Sequence, residues 1–151
     1  MTQPTVHLRE VTKETFRAIA KLSVADDQKN FVANNAFSMA EASFEEEAWF
    51  RAIYADDTPV GFAMLFENFE KGEYGVWRFM IDQEHQGKGY GRAALQLLID
   101  RVKGHPNAKS MELSVVPENA GAIKLYTNMG FVDTGRVEWG ENVYELVFSE
   151  Q

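Results

Sequence analysis

The chain contains no cysteine. That excludes disulfides, thiolate metal sites and a cysteine nucleophile. No stretch of it approaches the ~18 consecutive apolar residues that a membrane span needs. The first residues, MTQPTVHLREV, show neither a charged-then-apolar signal region nor a small-residue cleavage site. A cytoplasmic location with no membrane partner is therefore expected. Histidine is scarce, and His7, His85 and His105 lack metal-ligand spacing, so no metal is expected. Positive charge is also short: 15 Lys and Arg against 23 Asp and Glu leave a net charge of −8. Nucleic-acid binding relies on cations that neutralise phosphates, so nucleic acid is not an expected partner. An acidic field permits a cationic ligand. It also serves simply to keep a protein soluble.

What remains is the composition of an ordinary globular protein. The 151 residues are 45% hydrophobic and 25% charged, enough for one domain with a sizeable core. No repeat, linker or composition break divides residues 1–151, so a single domain is expected. TVHLREV (5–11) alternates like a strand. Thr12 is then expected to cap a helix carrying Phe16, Ile19, Ala20 and Val24. Residues 25–37 read as irregular. SMAE (38–41) has the form of a capping box, with Ser38 as N-cap, Glu41 reaching back and a short helix through about Glu47. Residues 49–55 and 60–68 flank DDTP as a hairpin. Residues 74–82 form another strand. Leu95, Leu98, Ile99 and Val102 make a helical stripe that Lys103, Gly104 and Pro106 bring to an end. A strand over 110–116 and a helix capped by Asn119 and stopped by Gly130 follow. A hairpin around GEN closes the chain. The result is an α+β domain of about seven strands and four helices.

One stretch carries more information than the rest. DQEHQGKGYGRAALQLLIDRV (82–102) places Gly87, Gly89 and Gly91 among Gln86, Lys88, Tyr90 and Arg92, between a strand and a helix. The first turn of a helix has unpartnered N–H groups, and its dipole favours an anion. Glycine lets that backbone come close to a phosphate, and Lys88 and Arg92 add charge. The loop lacks GxxxxGK[ST], which disfavours a P-loop. It also lacks GxGxxG at the first strand–helix turn, which disfavours a Rossmann site. A tight loop that merely packs a helix on a sheet would share these features.

Gln86-x-x-Gly89-x-Gly91 resembles the Q/R-x-x-G-x-G/A signature of the GNAT superfamily of N-acetyltransferases, which use acetyl-coenzyme A. LSVVPENAGAIKLYTNMGF (113–131) is similar to the strand–Asn–helix–Tyr–x–x–x–Gly–Phe segment of that family. The element order agrees over nearly the whole chain. The stretches VGFAM, RFMID, QGKGYG and GAIKLY further resemble bacterial spermine/spermidine acetyltransferases. The resemblance implies a GNAT-like fold, with a mostly antiparallel central sheet of about seven strands and about four helices on both faces. It implies a pyrophosphate loop over Gln86, Gly87, Lys88, Gly89, Tyr90, Gly91 and Arg92. It further implies a fourth strand that carries a bulge and splays from the fifth. The backbones of Phe79, Met80 and Ile81 would then meet the pantetheine arm, and an N–H near Met80 or Ile81 would stabilise the oxyanion.

The same resemblance assigns Asn119 a coenzyme A contact, although Asn is a good helix N-cap wherever it sits. It makes Tyr126 the general acid, where helical spacing alone would give a core tyrosine beside Ile123. A phenol can donate to, or solvate, a leaving thiolate of parent pKa about 8.5. The incoming primary amine, of pKa about 10.4, must lose a proton, at roughly 4.6 kcal/mol at pH 7. Many relatives place a glutamate for this on the fourth strand, at the position of Gly75 here. Glu73, Glu67 and backbone-held water remain as bases. Asp26, Asp27 and Glu41 fall in the region that lines the acceptor site in relatives, with Phe31, Phe37 and Trp49 available for apolar or cation–π contact.

The expected reaction is direct transfer of acetyl from acetyl-coenzyme A to a small primary amine, a polyamine by the narrower resemblance. Serine-mediated transfer, another amine acceptor, and a non-catalytic acyl-coenzyme A binding domain are the alternatives. A homodimer is compatible with the sequence, which does not fix the oligomeric state.

Overall fold

The computed structural model describes residues 3–29 and 33–148, apart from the side chain of Asp27. Its strands are β1 (Val6–Arg9), β2 (Ala48–Ala55), β3 (Thr58–Asn68), β4 (Glu73–Ile81), β5 (Ser110–Val115), β6 (Val132–Glu138) and β7 (Glu141–Val147). Its α-helices are α1 (Phe16–Lys21), α2 (Asn35–Ala42), α3 (Tyr90–Lys103) and α4 (Ala120–Asn128). Short 3₁₀ turns lie at Asp26–Gln28 and Gln83–His85. The strands form one sheet in the order β1-β2-β3-β4-β5-β7-β6. Among the described residues, only β4 and β5 pair in parallel. A seven-stranded, mostly antiparallel sheet with helices on both faces is the arrangement the sequence leads one to expect.

Period-two alternation sorts the central strands onto two cores. Ala52 and Tyr54 of β2, Phe62 and Met64 of β3, and Met80 of β4 pack with Ile19 of α1. Ile53, Ala55, Ala63 and Leu65 face the other way, onto Ala94, Leu95, Leu98 and Val102 of α3. Both faces of β2 and β3 are buried, so these strands read as apolar runs. The stripe Leu95, Leu98, Ile99 and Val102 lies on the buried side of α3, as its spacing predicts.

Alternation breaks in β3, where Val60 is extra opposite Ile53 and Tyr54 of β2, and again in β4. Tyr74 and Val76 face the α3 core, yet so do Phe79 and Ile81, while Met80 faces the α1 core. The parity changes at Trp77. Leu65 pairs with Val76 and Met64 with Arg78, which leaves Trp77 as the extra residue of a β-bulge.

Two helix starts differ from expectation. The N-cap of α2 is Asn34, whose side chain accepts from Phe37 N at 2.7 Å. Ser38 lies inside the helix, fully buried, with its hydroxyl donating to Asn34 O at 3.1 Å. Starting there also buries Asn35, whose amide donates to Ile19 O at 2.9 Å and ties α2 to α1. The helix ends at Ala42, short of Glu47. Similarly, α1 begins at Phe16 with Thr15 as N-cap. Thr12 forms the turn before it, its carbonyl accepting from Thr15 N and Phe16 N at 3.1 and 2.9 Å.

Candidate active site

β4 and β5 pair only at Gly75–Glu112 and Val76–Leu113. β4 nevertheless runs on to Ile81 and β5 to Val115, so the strands part just where Trp77 bulges. A cleft of about 760 Å³ opens between them. Phe79, Met80 and Ile81 line it from β4, and the loop before α3 lines one end. Asn119, Leu125 and Tyr126 line it from α4 and its cap.

Side chains hold the loop to the strand. Gln86 Nε2 donates to Ile81 O at 2.9 Å and to Gln28 Oε1 at 3.0 Å. The buried Asp82 carboxylate accepts from Ser23 N at 2.9 Å and Glu84 N at 3.4 Å, and Asp82 O accepts from His85 N at 2.8 Å. Gly87 and Gly89 then take φ of 78° and 84°, in the left-handed region that favours glycine. No atom lies within 4 Å of a Cβ built on either. The chain thus presents bare backbone to open space at the start of α3. Ala93 N donates to Gly89 O at 3.2 Å, so the amides of Tyr90, Gly91 and Arg92 come before the first intrahelical bond. This is a cradle that fits a diphosphate. Gln86, Gly87, Gly89, Tyr90, Gly91 and Arg92 all line the cleft, whereas the exposed Lys88 does not.

Tyr126 is buried against Phe131, with ring centroids 5.9 Å apart, and still lines the cleft. Burial pushes its phenol up to about 12, so it stays protonated throughout the physiological range. Asn119 caps α4 through Oδ1, which accepts from Ala122 N at 3.3 Å, while also lining the cleft. The two readings of Asn119 are thus compatible in space.

The carboxylates singled out for the acceptor are not gathered in the cleft. Asp26 is exposed and pairs with Lys29 at 2.9 Å. Glu41 pairs with Arg78 at 3.0 Å, and of the two only Arg78 lines the cleft. Glu73 lies at the exposed start of β4 and lines a different cavity. The Asp27 side chain and Phe31 lie outside the described residues. Phe37 is exposed, and Trp49 lies under the guanidinium groups of Arg101 and Arg51 at 3.7 and 4.5 Å.

One of the options for a base, Glu67, is already engaged. Glu67 is 5% exposed and is held by Arg101 Nε and Nη2, each at 2.9 Å, and by His105 Nε2 at 2.5 Å. At Gly75 a Cβ would meet Glu112 O at 2.8 Å, so this backbone has no room for the glutamate of relatives. The carboxylate that does line the cleft is Glu141, at the start of β7, with Ser114 Oγ 3.5 Å from its Oε1. Nothing near Glu141 in sequence signals this, because the topology alone inserts β7 beside β5. Gln28 and Ser114 likewise carry no motif. His85 borders the loop and lines the cleft.

The acetyltransferase (GNAT) family model matches residues 8–131. A spermine/spermidine N(1)-acetyltransferase of Bacillus subtilis (strain 168) is 31% identical over 147 residues, covering 91% of this chain and 95% of that one. Among solved structures, a spermidine N-acetyltransferase from Vibrio cholerae in complex with coenzyme A and spermine superposes with a TM-score of 0.73 at 20% identity, covering 93% and 92% of the two chains. The ribosomal-protein-S18-alanine N-acetyltransferase of Escherichia coli superposes with a TM-score of 0.70 at 18% identity, covering 97% and 96%. These two likenesses concern the fold. The chain belongs to the acetyltransferase (GNAT) family. It is an acetyl-coenzyme A-dependent N-acetyltransferase.

Proposed function

We propose that the chain acetylates a primary amine of a polyamine, spermidine or spermine, by direct attack in a ternary complex. The observation that carries this reading is the splayed β4–β5 cleft, with the loop backbone at one end and Tyr126 on its wall. The polyamine class rests on the whole-length relationship to the Bacillus subtilis enzyme and on the net charge of −8.

Bound acetyl-coenzyme A supplies a thioester: the amine nitrogen bonds to its carbonyl carbon, the carbon–sulfur bond breaks, and a thiolate leaves. The amides of Gly87 to Arg92 hold the diphosphate. The β4 backbone at Phe79–Ile81, freed from β5, is positioned to bond the pantetheine arm and offers an N–H to the developing oxyanion. Tyr126 meets the thiolate. With its phenol near 12, against about 8.5 for a thiol, full proton transfer is uphill by roughly 4–5 kcal/mol. Its role is therefore to donate a hydrogen bond that strengthens as negative charge gathers on sulfur. The amine proton leaves to water or to Glu141, the carboxylate of the cleft wall.

The test is selectivity between spermidine and n-butylamine at saturating acetyl-coenzyme A. Preference for spermidine in kcat/KM, with N-acetylspermidine identified by mass, is expected. Equal efficiency with the monoamine would overturn the polyamine reading and leave the acetyltransferase in place.

A further inference from the structure

A second cavity, of about 480 Å³, lies on the other side of the β4–β5 junction. Met111, Leu113 and Val115 of β5 face the α3 core, so Glu112 and Ser114 point to the opposite side of the sheet. The cavity opens on that side. It shares Val76, Trp77, Leu113 and Ser114 with the cofactor cleft. The two cavities thus adjoin where the strands part, with the bulged Trp77 on their shared edge. Along one wall the Trp77 and Phe66 rings stack, with centroids 5.3 Å apart and planes 29° apart. The charges are Glu73, Glu112 and Glu138 against Arg136, an excess of two negative charges, 3 − 1 = 2. Arg136, on the edge strand β6, sets Nη2 on Glu112 and Nη1 on Glu138, the latter at 3.4 Å.

We propose that this cavity binds the distal part of a linear polyammonium acceptor, and that Arg136 occupies its cation site until the acceptor's ammonium displaces it. The inference rests on the proposed function and assigns that acceptor's tail. The reacting amine reaches the thioester past Ser114, which lines both cavities. The methylenes lie on the Phe66–Trp77 wall. Glu112 stands two strand residues back from Ser114, roughly 6.6 Å, which a spacer of three or four methylenes spans. An ammonium there meets Glu112 and Glu138. The side chains of Arg136, Glu112 and Glu138 are about half exposed, at 49%, 42% and 55%. Pairs this exposed are weak and exchange readily.

The experiment compares spermidine with n-butylamine in Arg136→Ala and Glu112→Gln, each checked for an unchanged coenzyme A-induced rise in Tm. Removing the guanidinium frees two carboxylates, so the spermidine-to-butylamine ratio of kcat/KM should rise, by up to about fivefold. Glu112→Gln should lower the same ratio through the spermidine KM, with kcat retained. Ratios that stay at the wild-type value in both folded variants would overturn the tail site while leaving polyamine acetylation intact. Absence of turnover with any amine is a different result: it removes the proposed function, and this inference with it.

Discussion

Among single residues, Tyr126 gives the proposed chemistry its sharpest test. It belongs to the core by burial and to the site by position, so helical spacing and family resemblance each describe one side of it. Tyr126→Phe keeps the ring and its packing on Phe131 and removes only the hydroxyl. Turnover should fall roughly 10²–10⁴-fold with coenzyme A affinity little changed. Unchanged turnover, with chemistry rate-limiting, would remove the phenol from the mechanism. Burial of this phenol also has a thermodynamic consequence. Below pH 10 both the folded and unfolded states keep the proton. Between 10 and about 12 the unfolded chain loses it and the folded chain does not, so stability falls across that window, by roughly 2–3 kcal/mol in all. Tyr74, whose phenol is raised by burial and by the Glu67 charge, acts in the same direction. The alkaline loss should therefore shrink, but not vanish, in Tyr126→Phe. Denaturant titrations from pH 9 to 12 measure it.

Elements set the geometry that single residues exploit. The glycine loop was legible in the sequence because its requirement is local: positive φ at Gly87 and Gly89, then a helix start. Gly89→Asp forces a side chain into a left-handed conformation and sets a carboxylate where the proposed diphosphate would approach. Coenzyme A should then no longer raise Tm. A folded variant with wild-type coenzyme A affinity would contradict the loop assignment. β1 was legible for the same local reason, through alternation, and β2 and β3 through the DDTP turn between two apolar runs. Ser38 was not read correctly, because Asn34 offers an equivalent cap nearby and its use buries Asn35 against α1; Thr12 instead forms the turn before Thr15, the N-cap of α1. Close packing of β3 on β4 depends on Gly61, where a Cβ would meet Met80 O at 2.3 Å. A carbonyl of the ladder cannot swing aside as a side-chain tip can. Gly61→Ala should lower stability by roughly 1–3 kcal/mol, seen as a lower Tm, and should weaken coenzyme A binding through the displaced Met80 backbone. Full stability in that variant would show that the two strands have slack.

For the molecule as a whole, what local sequence could not show is what topology brings together. Glu141 and Ser114 meet because β7 inserts between β5 and β6, and Arg136 reaches Glu112 across that same insertion. The substrate end was hardest to read for this reason: acidic residues are common on this surface, and spacing does not say which of them face a cavity. Asp26 and Glu41 are engaged with Lys29 and Arg78. Across the described residues no helix is long and apolar enough to cross a membrane. In the proposed mechanism one cleft holds acetyl donor and amine together, and the acetyl group passes directly between them. Initial rates of coenzyme A release, over a matrix of acetyl-coenzyme A and spermidine concentrations, test it most directly. Amine-dependent release with intersecting double-reciprocal lines is the predicted result. Parallel lines with an isolable acetyl-enzyme, or coenzyme A binding with no amine-dependent release, would contradict it.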